Sequence, residues 1–381
     1  MASPLHLSDL ASAKNGACIY CRPICFVDDP RQWDDACLPL ASTGLWFSSW
    51  QISLRDGGGV RNAVFPVGDW DQWIAAMPYA LAGRAIAQRA AITDQRPSLD
   101  LGLDLGASAR SLSLQEPQIM GIVNVTPDSF SDGGRYDSAA AAIEHGFTLM
   151  EQGAAILDVG GESTRLDAVF VGEDEEIRRV EPVIKALAGG GAIVSVDSRK
   201  AAVMEAALAA GAAMINDVSA LRHDPRAMAV AAASQVPIVL MHAPSGGMNA
   251  HEAPSYTDPL LDVYDMLEQR IAACEQAGIG RDRLIVDPGI GFGKNLAENM
   301  ALIHGLALFH ALGCPILFAA SRKRLIAALD DEAPADERLG GTLALHYYAV
   351  TQGAQMIRVH DVREHRQALR IWHGLRGVRP K

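Results

Sequence analysis

The sequence lacks several things, and each absence narrows what it can be. No stretch approaches the roughly 18 uninterrupted apolar residues of a membrane helix, and the start, MASPLHLSDL, has no basic segment running into an apolar one. A protein without a membrane span or secretory signal is expected, and a cytoplasmic one by default. Cysteine is scarce: six in 381 residues exclude a disulfide scaffold, and a cytosolic setting keeps thiols reduced. Positive charge is in deficit, with 33 Lys and Arg against 45 Asp and Glu and a net charge of −12. That excludes nucleic-acid binding by bulk electrostatics and leaves any anionic substrate to a few placed cations. With 49% hydrophobic and 20% charged residues, most of the chain has globular composition, enough for one large domain or two modest ones.

Cys18, Cys21 and Cys25 form the one cysteine cluster. A fourth metal ligand at fitting spacing is missing, and Ile19, Tyr20 and Ile24 among them read as a buried strand. Residues 1–115 read as a small α+β extension of no legible function. Within it two strand-like runs (45–67) flank Asp56-Gly57-Gly58-Gly59, a hairpin signal, and a helical segment (69–91) follows. Residues 93–114 read as a linker with one or two edge strands.

From Gln118 onward one unit repeats: a short apolar run, a polar loop, then an amphipathic stretch. The eight runs are IMGIVNV, AAILDVG, AIVSVD, AMINDV, PIVLMH, LIVDPG, PILFAA and MIRVHD. Near-continuous apolar strands alternating with helices argue for a parallel sheet buried on both faces. Eight units over residues 116–381 fit an α/β fold of the (β/α)8 TIM-barrel class, with an open doubly wound sheet as the structural alternative.

In such a barrel the reactive residues sit at the C-terminal ends of the strands. The runs end in Asn124, Asp158, Asp197, Asn216, His242, Asp287, Ser321 with Arg322 and Lys323, and Arg358 with His360. Any one of these reads equally well as a helix cap; eight together read as an active-site rim. Asp197, Asn216 and Asp287 have no cation adjacent in sequence and suit a neutral heterocycle with N–H edges. Arg358 and His360, two apart on one strand, with Lys323 and Arg322, suit a phosphate or carboxylate near strands 7 and 8. Two loops, 126–138 with Asp128, Phe130 and Asp132, and 160–176 with Glu162, Ser163, Thr164 and Arg165, exceed the usual connection length and are too polar for a core.

These residues carry a resemblance. IMGIVNVTPDSFSDGG, ILDVGGESTR, VSVDSRK, INDVSAL, VDPGIGFGK, SRK and RVHDV occur in the order and spacing of the dihydropteroate synthase family, across residues 118 to about 375. The resemblance implies a (β/α)8 barrel that condenses 6-hydroxymethyl-7,8-dihydropterin diphosphate with 4-aminobenzoate, releasing diphosphate, in folate biosynthesis. It implies Mg2+ and a homodimer. It places pterin on Asp197, Asn216, Met241, Asp287, Phe292 and Lys323. Diphosphate falls on Asn124, Thr164, Arg358 and His360, with the metal at Asn124. Aminobenzoate falls on Ser163, Thr164, Arg165, Phe292, Lys323 and Arg324. Asp197, Asp287, Lys323, Arg358 and His360 are the implied catalytic set.

Three departures from the family pattern touch the aminobenzoate end: Leu166-Asp167 where Pro-Gly is usual, Ala243-Pro244-Ser245 after Met241-His242, and Arg324 where serine is frequent. Two other functions compete. A pterin-barrel methyltransferase shares the pterin acceptors but has no use for the diphosphate cations; a catalytically silent pterin-binding paralogue is favoured only by the altered second loop.

Overall fold

The computed structural model describes residues 3–13, 16–27, 29–33, 36–57, 59–102, 111–125, 135–163, 170–244 and 255–377. Two compact units emerge: Met1–Arg96 with Gly305–Cys314 and Thr351–Gly353, and Pro97–His304 with Pro315–Val350 and Ala354–Lys381.

In the first unit, strands Cys18–Val27, Leu45–Asp56 and Gly59–Pro66 pair antiparallel, and the hairpin turns between Asp56 and Gly59. Aromatic side chains of the central strand fill its core: Phe47 meets Trp50 edge-on at 4.7 Å, and Trp50 lies 4.9 Å from Trp70. Helix Tyr79–Thr93 pins the first strand through Gln88, whose Oε1 accepts from Cys21 N–H at 2.7 Å and whose Nε2 donates to the Ile19 carbonyl at 3.1 Å. Burial pushes the Cys21 thiol up to about 12, so this cysteine is an inert core residue.

The second unit is a parallel ring. Its strands are Gln118–Asn124, Ile156–Gly160, Val194–Asp197, Met214–Asp217, Ile238–Met241, Leu284–Asp287, Leu317–Phe318 and Met356–Val359, called barrel strands 1 to 8 below. Strands 1 to 6 pair in succession, strand 8 pairs with strands 1 and 7, and among the described residues a parallel bridge from Val286 to Ile316 joins strand 6 to the approach to strand 7. The helices that follow the strands include Glu173–Gly189, Ala201–Ala209 and Pro259–Gln276. The last begins at Asp258, whose side chain accepts from Leu261 N–H at 3.0 Å, with Pro259 as the first helical residue.

The division between units falls after Arg96, inside the segment 93–114 read as a linker. The segment read as a linker does carry two short strands, Leu99–Asp100 and Ser111–Leu112, paired antiparallel. Their leucines, with Leu114, pack against Met120, Ile156, Met214, Val239, Ile285, Leu317 and Met356. These barrel residues form an apolar floor, and fully burying each of the three leucines contributes about 1.5–3 kcal/mol.

Candidate active site

The floor fixes what lies above it. Side chains two residues apart on a strand share a face, so Ile156 is followed by Asp158, Met214 by Asn216, Val239 by Met241, Ile285 by Asp287 and Met356 by Arg358. An apolar layer thus gives way, one step toward the strand C-termini, to a polar one.

That polar layer is braced by one cation. Arg358 donates from Nε to Asp158 Oδ2 at 2.6 Å and from Nη2 to Asp197 Oδ2 at 2.6 Å. Asp158, fully buried, also accepts from Asn216 Nδ2 at 2.9 Å. One guanidinium cannot neutralise two carboxylates. Burial, with the negative charge of Asp158 added, pushes Asp197 up to about 7 despite the opposing pull of Arg358. Burial works against the charge of Arg358, but the two aspartates hold its pKa above the ordinary arginine value. The expectation that the acceptors lack a cation among their sequence neighbours therefore hides the geometry: their cation arrives from strand 8.

Hydrogen bonds already made determine what remains for a ligand. Asp197 keeps Oδ1. Asn216, its Nδ2 committed to Asp158, keeps Oδ1. Asp287 accepts from Gly289 N–H through Oδ1 at 2.7 Å and keeps Oδ2; burial raises its pKa, with Lys323 opposing. Among the described residues, Nη1 of Arg358 carries no hydrogen bond. Asp197 Oδ1, Asn216 Oδ1 and Asp287 Oδ2 are left as acceptors and Nη1 of Arg358 as a donor, while Asp158 Oδ1, also unpaired, is fully buried. An apolar patch of Val218, Met241, Ala243 and Phe292 adjoins the ends of strands 4, 5 and 6.

The turn after strand 6 depends on glycine. Gly289 has φ +69°, and a Cβ there would lie 1.9 Å from the His242 carbonyl oxygen, so no other residue fits. Lys294 closes this turn, its Nζ donating to the carbonyls of Gly289 at 2.8 Å and Phe292 at 2.9 Å. Burial, with Lys323 nearby, lowers Lys294 to about 7. Lys323 donates to the Ile290 carbonyl, and its ammonium lies 4.4 Å from the centroid of the Phe292 ring. Burial lowers Lys323 to about 8, with Asp287 opposing.

At the ends of strands 7 and 8, His360 Nδ1 lies 2.9 Å from Ser321 Oγ. Arg322 is not a free cation: its Nε donates to Asp361 at 3.1 Å, with a second contact from Nη2. Arg324 begins a four-residue helix and is exposed. Asn124 ends strand 1, half-buried, in register with Gly160. Ser163 is half-buried at the end of the described stretch 135–163; Thr164, Arg165, Leu166-Asp167, Ser245 and the whole of the 126–134 loop lie outside the described residues. Glu162, named with the polar second loop, accepts from Lys200 Nζ at 3.1 Å and from Val171 N–H at 3.1 Å.

Sequence reading placed Asp158 and His242 at strand ends but gave them no task, and it passed over Lys294, Lys200, His346 and His365. The two histidines were invisible because their roles depend on contacts across strands. His346 Nε2 accepts from Ala320 N–H at 3.2 Å, its Nδ1 lies 2.7 Å from His365 Nε2, and His365 Nδ1 lies 2.6 Å from the Asp361 carbonyl. With Nε2 of His346 as acceptor, the chain is satisfied by two neutral Nδ1–H tautomers, in keeping with the burial that lowers both pKa values. The ends of strands 7 and 8 are thereby tied together.

A parallel barrel whose mouth offers three acceptors beside buried cations defines a class, and comparison with known proteins agrees. A family model described as "Pterin binding enzyme" matches residues 120–360. The dihydropteroate synthase of Escherichia coli K12 is 44% identical over 270 residues, 71% of this chain and 95% of that protein. A solved structure of the Xanthomonas albilineans dihydropteroate synthase with 4-aminobenzoic acid is 46% identical and superposes with a TM-score of 0.69 over 74% of this chain and 99% of that one. The same enzyme in complex with 7,8-dihydropteroate gives 45% identity and a TM-score of 0.66, covering 74% and 100%. The chain belongs to the dihydropteroate synthase family of pterin binding enzymes.

Proposed function

We propose that the mouth of the barrel joins 6-hydroxymethyl-7,8-dihydropterin diphosphate to 4-aminobenzoate as follows. The acceptors Asp197 Oδ1, Asn216 Oδ1 and Asp287 Oδ2 take the N–H edges of the pterin, and the ring lies against Met241 and Phe292. Nη1 of Arg358 and the ring of His360, with Thr164, hold the diphosphate. The C–O bond between the pterin methylene and the diphosphate breaks, and Arg358 and His360 stabilise the charge that grows on the leaving oxygen. Asp197 and Asp287 supply negative charge near the electron-poor methylene. The aryl amine nitrogen of aminobenzoate, oriented by Ser163, Thr164, Arg165, Phe292 and Lys323 with Arg324 toward its carboxylate, then forms the new C–N bond and gives up one proton to solvent.

The donor set fits Mg2+. This ion is usually held by one or two protein oxygens and completed by substrate phosphate and water, and the Asn124 amide supplies one hard oxygen at the strand-1 end. Among the described residues no three His, Cys, Asp or Glu side chains converge on a metal site. When bound there, the ion would add charge stabilisation to the leaving group.

The observation that carries this reading is the Asp158–Arg358–Asp197 brace, which leaves acceptors for a pterin and a donor for its leaving group in one layer. The same cations argue against the methyltransferase alternative, which has no diphosphate to hold. No helix among the described residues is long and apolar enough to cross a membrane, and a cytoplasmic homodimer fits the reading. Complementation of a folate auxotroph lacking the enzyme tests the function: growth supports it, and no growth from a soluble, expressed chain rejects it.

A further inference from the structure

The hydrogen-bond ladder between strands 7 and 8 is short. It ends with Phe318 opposite Ile357, yet Ser321 and His360, which meet at 2.9 Å, each lie three residues further on. Past a ladder, buried N–H groups need other partners. Helix Leu339–Thr351 supplies them. Thr342 Oγ1 accepts from Arg322 N–H at 3.0 Å, and His346 Nε2 accepts from Ala320 N–H at 3.2 Å. The two side chains are four apart, on one face of the helix, and the N–H groups they take stand on either side of Ser321. Arg322 has φ +56°, a conformation that persists in an arginine only where its surroundings hold it.

The strand-8 side of the gap is held through His365 of helix Val362–Leu375. It takes His346 Nδ1–H at Nε2, 2.7 Å away, and its own Nδ1 donates at 2.6 Å to the carbonyl of Asp361, the residue next to His360. Both imidazoles are buried, with 1% exposed, and neither is assigned to a ligand. Apolar side chains could fill the same space without any polar group to satisfy. The imidazoles add a directional link from Ala320 to Asp361, one residue behind Ser321 and one residue beyond His360.

We infer that His346 and His365 are positioning residues for His360: linking Ala320 to Asp361, they fix the separation at which His360 meets Ser321 and so aim its ring at the departing diphosphate. The inference rests on the reading that His360 stabilises the leaving group. Misplacing such a group by about 1 Å can cost about 10²-fold in rate, so the effect falls on kcat. The pterin acceptors stand on strands 3, 4 and 6 and are spared.

The test uses the full chain. His365→Leu is the milder variant, because the Asp361 carbonyl keeps the backbone N–H of residue 365 at 3.2 Å. His346→Leu also strands Ala320 N–H and should melt lower. Each should lower kcat by about tenfold, with the calorimetric Kd for a pterin lacking diphosphate within about twofold. Both substitutions are then repeated in His360→Ala, where they should change kcat by less than about twofold, since the group they aim is gone. Unchanged kcat in folded His365→Leu would overturn the inference. So would the same fold-loss of kcat with and without His360, which is what a merely structural role predicts. If His360→Ala itself leaves kcat unchanged, the leaving-group assignment fails and the inference with it. If His360→Ala lowers kcat and His365→Leu does not, the positioning alone fails.

Discussion

Arg358 and Asp197 are joined across the barrel by a 2.6 Å hydrogen bond from Nη2 to Oδ2, and the same guanidinium holds Asp158 through Nε. The cation assigned to the diphosphate is therefore also the support of a pterin acceptor. This changes what its removal should do.

Arg358→Ala and His360→Ala should each lower kcat by about 10²-fold or more, as expected for losing one electrostatic donor to a leaving group. They should differ in affinity. Arg358→Ala frees Asp197 and Asn216's partner Asp158, so binding of a pterin without diphosphate should weaken. His360→Ala should leave that binding within about twofold. Isothermal calorimetry beside steady-state kinetics distinguishes them, and equal pterin affinity in the two variants would remove Arg358 from the support of the acceptors.

Asp158 touches no ligand in this account, yet its loss should be costly. Asp158→Ala leaves Arg358 with one partner and Asn216 Nδ2 with none; breaking a buried pair typically costs about 3–5 kcal/mol. Denaturant unfolding measures this. A loss below about 1 kcal/mol would show that Arg358 is adequately held by Asp197.

The dependence on pH follows from two groups. Asp197, raised to about 7 by burial, loses its acceptor charge as pH falls through that value. Lys323, lowered to about 8 by burial, loses its positive charge as pH rises past it. For pterin diphosphate, kcat/KM should therefore be bell-shaped, with limbs near 7 and 8 reporting the free enzyme. In Lys323→Arg the alkaline limb should move upward, since a guanidinium keeps its charge. An unmoved alkaline limb would assign it elsewhere.

Because the family motifs all lie beyond residue 117, the sequence suggests that a chain beginning at Leu112 keeps its chemistry. The structure adds a cost. Residues Leu306–Leu312, all buried, belong to the first unit, where they pack with strand Cys18–Val27 and helix Tyr79–Thr93, and Arg96 Nη2 donates to the His310 carbonyl at 2.9 Å. Removing residues 1–111 would uncover that segment, so the shortened chain should melt lower or aggregate. Thermal unfolding checks this, and an unchanged melting temperature would show that the segment needs no cover.

Much of this was legible in the sequence because strand periodicity and strand-end chemistry are local. The eight apolar runs marked the barrel, and Asp197, Asn216, Asp287 and Lys323 stood at the ends of theirs. What escaped was pairing between residues distant in sequence. Asp158 and Arg358 are 200 positions apart, and nothing in either neighbourhood announces the other. Glu162 reads as one more polar residue of its loop, beside Ser163 and Thr164; its side chain is drawn off by Lys200, 38 positions on. The assignment of residues 305–314 and 351–353 to the first unit has the same origin: a long-range packing relation with no local pattern.

The central claim is that this barrel mouth couples departure of diphosphate to formation of a bond with aminobenzoate. The most direct measurement follows both products from the purified full chain given pterin diphosphate, 4-aminobenzoate and Mg2+. Dihydropteroate and diphosphate should appear in equal amounts, and Asp197→Asn should bind the pterin more weakly by about 1.5–3 kcal/mol, slowing formation of both in parallel. No dihydropteroate from the folded wild-type chain, or an Asn variant as active as wild type, would contradict the account.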